Sequence, residues 1–329
     1  MPRRVTAVTG LWFLLLALAS FAQNQKSDNL KLERTIPTAP DIAVQFSAIS
    51  PKGTLIAGAC KDGRVRLWGF PSAELKQALD LRDQRISTMR FSDDGSLLAV
   101  GGSRGGVRVW SVPSGKLKAE LTTPAPINTL AISPDGELIA IAPAEAAPQL
   151  LDLKTGRAIT DLPTRFGGAL GLAFSPDGQR LASAGADTEI RFYDGQTGAP
   201  RGANTDLLLE PFGITFSAEG KYLFVGGADK TISVVDVATA KVVSAFPRQS
   251  FVVGHLLVSH DGKFLAAAYF DEKNSRNPAP VLIWDVTAQS VRTTILQPGV
   301  RPNGGAFVPD GRLLLTSASD NNFQVWSAR

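Results

Sequence analysis

The chain has little cysteine, histidine or charge. Cys60 is the single cysteine in 329 residues, so no intramolecular disulfide can form. A catalytic thiol would need a nearby base, and the only two histidines, His255 and His260, lie far along the chain. Cys60 therefore reads as a small buried side chain. The two histidines stand five apart and have no further ligands at a metal spacing. Asp93-Asp94 lacks the alternating oxygen ligands and distal glutamate of a calcium loop. Neither a metal nor a cofactor is expected. Net charge is +4, two of it from Arg3 and Arg4, and no Lys/Arg-rich run is present. That balance gives no footprint for nucleic acid. The apolar run Gly10–Ala19 spans about ten residues, short of the ~20 that a membrane-spanning helix needs.

That short run reads instead as the core of a signal peptide. Pro2-Arg3-Arg4 is the charged start, and Ser20-Phe21-Ala22 places small residues where cleavage before Gln23 requires them. Residues 1–22 are thus expected to be a leader and residues 23–29 a polar linker. No cysteine stands at the end of the leader to carry a lipid. The expectation is an exported chain, periplasmic or extracellular, with no stable membrane anchor after cleavage.

Turns dominate what remains, with 31 glycines and 21 prolines. Gly171–Asp194 shows the recurring phrase: an alternating apolar run, Ser-Pro-Asp-Gly, a second run, a Gly/Asp turn, and a third run ending in an aromatic residue. The glycine closing the first turn recurs at Gly53, Gly95, Gly136, Gly178, Gly220, Gly262 and Gly311, at spacings of 42, 41, 42, 42, 42 and 49. Fifteen residues after it stand Trp68, Trp110, Leu151, Tyr193, Val235 and Trp326. The sixth unit reaches Trp284 only after 22 residues, because seven extra ones fall within Phe270–Ala279. Asp and Gly in each turn supply a backbone bond and a positive φ, and the β-branched and aromatic flanks favour strands. Fourth strands fit Glu74–Leu79, Lys116–Leu121 and Ala240–Phe246. Four strands in about 40–45 residues is the period of a propeller blade.

The phrase resembles the WD-repeat family. Trp284-Asp285 is a literal instance of its dipeptide, and Tyr193-Asp194 and Val235-Asp236 are degenerate ones. The resemblance covers residues 30–329 and implies an all-β, seven-bladed β-propeller of four-stranded antiparallel blades. In such propellers the N-terminal strand closes the last blade. The seventh unit here stops three residues after Trp326, and Leu30–Ile36 is the spare strand. Closure would remove an exposed edge. The family also carries a structural aspartate six residues before the tryptophan, matched by Asp62, Asp187, Asp229 and Asp320. Its network includes a histidine that no blade here has, and blades two and three carry Arg104 and Glu145 at the aspartate position. The four aspartates are expected to cap turns. The Gly-rich stretch Gly101–Gly106 leads to another strand, not a helix, so it reads as a hairpin rather than a phosphate loop.

The family implies a partner-binding top face, built from residues ten and eight before the ruler glycine and the residue before the turn aspartate. Carried over, these include Lys61, Arg85, Ser103, Asn128, Glu210, Phe212, Arg301 and Asn303. Lys61, Arg85, Phe212 and Arg301 stand out, since arginine and aromatic residues dominate interfaces. The expected function is a non-catalytic, monomeric scaffold that binds a protein or peptide. Residues 222–243 also resemble surface-layer or lactonase-like propeller repeats. The alternatives are therefore a propeller hydrolase, with Glu210, Asp271 and His255 as first suspects, or a cell-envelope assembly factor.

Overall fold

The computed structural model describes residues 31–37, 44–81, 85–112, 114–164, 168–202, 204–207, 210–271, 280–295, 302–319 and 322–328. The leader, the linker, Leu30, most of the blade-six insertion, Arg301 and Asp320 lie outside them. The described residues form 28 strands and no helix. Seven antiparallel four-stranded sheets result, six of them built from four consecutive strands.

The seventh sheet closes the circle. Strand Lys31–Pro37 lies against the last strand, Asn322–Ala328, with Lys31 opposite Ser327 and Ile36 opposite Phe323. Glu33 locks the pairing, accepting a hydrogen bond from Ser327 Oγ (2.6 Å) and an ion pair from Arg312 (3.3 Å). Ile36 is fully buried beside Val44, Trp68 and Val325, so the same short strand also seals blade seven against blade one.

The first turn of each blade has a physical account. In blade two, the Gly95 amide donates to the Ser92 carbonyl (2.8 Å), and Asp94 Oδ1 takes both the Ser92 hydroxyl (2.6 Å) and the Ser96 amide (2.9 Å). Ser133–Asp135, Ser175–Asp177 and Ser259–Asp261 repeat the serine–aspartate bond. Gly53 shows why glycine must close the turn. Its φ is +66°, and a Cβ there would collide with Val308 of blade seven.

The core lies between blades. The residue fifteen (in blade six, twenty-two) after each ruler glycine is buried against the preceding blade. Trp110 packs with Ala57, Val65 and Leu67; Tyr193 with Leu138 and Leu150; Trp284 with Phe224 and Phe246, the latter edge-on at 5.3 Å. A wedge-shaped gap between twisted sheets takes a large side chain best, and emptying one would cost about 3–5 kcal/mol. Blade three fills its gap with Leu151 and blade five with Val235, both buried.

Outer strands run Leu75–Asp80, Lys116–Thr122 and Lys241–Phe246, a residue later at the start than expected for two of the three. Blade four keeps only Thr205–Asp206 and a bridge from Tyr193 to Pro200. Pro200 and Gly202 interrupt what would be its ladder, because proline has no amide to donate.

Candidate functional site

The loops joining second to third strands share one face with the loops that enter the inner strands. Backbone bonds hold these two sets together. The Ser103 amide donates to the Arg85 carbonyl (2.6 Å), Ala144 to Pro126 (2.6 Å), Ala186 to Gly168 (3.5 Å) and Ala228 to Glu210 (2.9 Å). In four consecutive blades, two of the three positions expected to meet a partner are therefore tied to each other. Their side chains project from a fixed backbone.

Lys61, Arg85, Ser103 and Asn128 are exposed on this face, and Glu210 is half-buried. Ser87, eight before its ruler glycine, is engaged internally; its hydroxyl reaches the carbonyls of Ile127 (2.5 Å) and Gly101 (3.1 Å), joining blades two and three. Phe212 is half-buried and meets Phe270 edge-on, ring centroids 5.5 Å apart. Phe270 ends the second strand of blade six, where the insertion begins. The pair thus braces the base of that insertion against blade five. Asn303 lies in the inner strand of blade seven; Arg301 is outside the described residues.

The turn aspartates do cap, and two do more. Asp187 Oδ1 accepts the Glu189 amide (3.2 Å), and Asp62 Oδ1 accepts that of Arg64 (3.3 Å). Each also binds an arginine four residues on through both carboxylate oxygens, Arg191 at 3.1 and 2.5 Å and Arg66 at 2.9 and 2.6 Å. Hydrogen bonding from Arg66 holds the Asp62 carboxyl below its ordinary range. The Asp187 pair is buried, and Glu189 joins it, 2.6 Å from Arg191. An Asp-x-x-x-Arg fork occupies the place where the histidine network would be. Its spacing was present in the sequence at Asp62/Arg66 and Asp187/Arg191. Blade two reverses the logic, with Arg108 taking Glu120 of the outer strand (2.5 Å). Asp229 bonds Thr231 instead (2.7 Å), and Asp320 lies outside the described residues.

Neither Glu210 nor Asp271 is among the groups that shift His255. His255 sits within the inner strand Val252–Val258, and the charge it feels is that of Arg90, not of a carboxylate. Among the described residues, no group of three or more His, Cys, Asp and Glu could hold a metal ion. Gly101–Gly106 is the expected hairpin, joining strands Leu97–Gly102 and Gly106–Ser111. Cys60 is buried, and burial pushes its thiol pKa up. A concave groove of about 520 Å³ lies on the opposite face, between blades one and two, lined by Ser50, Lys52, Lys76, Gln77 and Asp94. It contains none of the residues expected to meet a partner.

A family model described as "WD domain, G-beta repeat" matches residues 34–69, 75–111, 163–194, 211–236 and 302–327. These are blades one, two, four, five and seven. The unmatched blades have evident departures: Glu145 and Leu151 in blade three, the insertion in blade six. No curated protein matches the chain.

Proposed function

The chain is a seven-bladed WD40-repeat propeller, and we propose that it is a non-catalytic scaffold that holds a protein or peptide on its top face after export. WD40 propellers generally bind proteins or peptides. The observation that carries the reading is the backbone tie from Arg85 to Ser103 and its equivalents in blades three to five. A surface already ordered before binding loses less entropy when a partner docks. Exposed Lys61, Arg85 and Asn128 stand on neighbouring blades of that surface. The leader-like residues 1–22 and the polar residues 23–29 support export to a periplasm or beyond the cell, with residues 30–329 as the working domain.

Crosslinking of the exported protein in its native host, followed by mass spectrometry, identifies what is attached. The combined variant Lys61→Ala, Arg85→Ala, Asn128→Ala should fold, since all three are exposed, and should lose the crosslinked partner. Retention of the same partner by the folded variant would refute top-face docking. A protein found wholly inside the cell would refute export.

A further inference from the structure

The seven inner strands form a closed ring, each beside the next, with Pro302–Phe307 of blade seven beside Val44–Ile49 of blade one. None of them contains an aspartate or a glutamate, and together they contain one fixed charge, Arg90, and one imidazole, His255. Arg90 stands five residues before its ruler glycine. The same position in the other blades holds Ala48, Ala131, Ala173, Thr215, Leu257 and Ala306. His255 stands seven before its glycine, where three blades have glycine, two threonine and one phenylalanine. Both side chains are therefore singular in a wall of small and apolar residues.

Both side chains are exposed, although they stand on the innermost strands of the ring. That combination places them at the open centre of the ring rather than in the core between blades. Blades two and six stand on opposite sides of the ring, so Arg90 and His255 face each other across it. Enclosure first, and the Arg90 charge second, hold the His255 pKa down at about 4, so the ring is neutral near pH 7. Among the described residues, Arg90 has no ion pair or side-chain hydrogen bond. Its own pKa is lowered by enclosure alone, with no carboxylate opposing. Asp93, three residues after Arg90 in the turn that follows its strand, is influenced by Asp94 and His260 rather than by Arg90.

An exposed guanidinium with no partner among the described residues adds no ion pair to the fold and keeps its fork free for an anion. We propose that the channel between Arg90 and His255 is a binding site for one carboxylate carried on a small apolar body. A guanidinium fork takes both oxygens of a carboxylate, and neutral His255 can add an N–H donor. One cation matches one negative charge, whereas a phosphate dianion would be left half-compensated. The alanines and Leu257 accept the hydrocarbon part. The site uses none of the top-face residues, so it stands or falls separately from partner docking.

Two sources share this chemistry: a free short-chain acid and the C-terminus of a peptide. The purified full chain would be titrated with butyrate and with a short apolar peptide ending in a free carboxylate. Butyramide and the amidated peptide serve as controls. Calorimetry gives affinity and stoichiometry, and NMR follows the His255 ring. At least one carboxylate probe should bind one-to-one, shift the His255 signals and raise its pKa, while its amide does not bind. Butyrate binding assigns a free acid; binding by the peptide alone assigns a chain terminus. Arg90→Met should weaken binding by roughly tenfold or more, the size of a lost charged hydrogen bond. Arg90→Lys, which keeps the charge, should fall between. The proposal is overturned if neither carboxylate binds, if the amides bind equally well, or if the folded Arg90 variants bind like wild type.

Discussion

Arg191 grips Asp187 through both of its terminal nitrogens, at 3.1 and 2.5 Å, within a side-chain environment almost closed to water. Glu189 shares the same guanidinium, and Asn204 in turn donates to Glu189 (3.1 Å). One cation thus serves two buried carboxylates at the corner between the second and third strands of blade four. Arg66 makes the same fork to Asp62 in blade one, where the aspartate is partly open to solvent. Removing one member of a buried ion pair costs about 3–5 kcal/mol, because the other charge stays behind. Arg191→Met should therefore destabilise the propeller by that order in chemical denaturation. Arg66→Met should cost clearly less, since water can still reach Asp62. Equal costs at the two sites would contradict the burial argument.

These forks mark a limit of legibility. The blade count could be read from glycines, because a turn at positive φ accepts little else, and Gly53, Gly95 and Gly136 mark it without ambiguity. The wedge-filling residues could be read too, since Trp68, Trp110 and Tyr193 are large side chains at a fixed distance from those glycines. The closing strand followed from a missing fourth strand at one end and a spare one at the other. The Asp62–Arg66 fork shows in the sequence only as a spacing, and the family pattern calls for a histidine that this chain lacks. The Arg85–Ser103 tie is a backbone bond, so no side chain announces it. Phe212 reads as a free anchor in the sequence because its partner, Phe270, lies in another blade, 58 positions along the chain. Arg90 is singular only when the inner strands are compared position by position.

The closing strand gives a second prediction. Ile36 is fully buried where blades seven and one meet. Ile36→Ala removes buried methyl groups and should cost about 2–5 kcal/mol. Deleting residues 31–37 would go further, exposing the edge of Asn322–Ala328 to pairing with other chains. The truncated protein should melt earlier and associate at concentrations where the parent does not. Sedimentation and thermal melting read both effects, and an unchanged melting temperature in both variants would contradict closure by this strand.

His255 makes stability depend on pH. Its folded pKa is about 4 against 6.5 for the free side chain, lowered by enclosure and then by Arg90. Between those values the unfolded chain takes up a proton that the folded one refuses, so stability falls as pH drops from about 6.5 to about 4. His255→Leu should flatten this part of the stability profile. Arg90→Met should raise the His255 pKa in an NMR titration. Asp93 acts in the opposite sense, its pKa raised chiefly by burial and then by Asp94, with His260 opposing. Because it titrates from a carboxylate's lower starting value, its influence belongs to the acid end of the profile.

The edge-on contact between Phe212 and Phe270 separates two roles that simple truncation would confuse. If Phe212 met a partner directly, Phe212→Ala would weaken capture and Phe270→Ala would not. The 5.5 Å contact argues instead that the two rings act as a unit, fixing the base of the blade-six insertion beside blade five. An aromatic pair of this geometry is worth about 0.5–1.5 kcal/mol beyond the area it buries. A double-mutant cycle in denaturant should therefore return a coupling energy of that size, since each single change already breaks the contact. Partner capture should fall to a similar degree in both single variants and little further in the double one. Additive losses in stability, or a capture defect confined to Phe212→Ala, would assign the ring to the partner rather than to the scaffold.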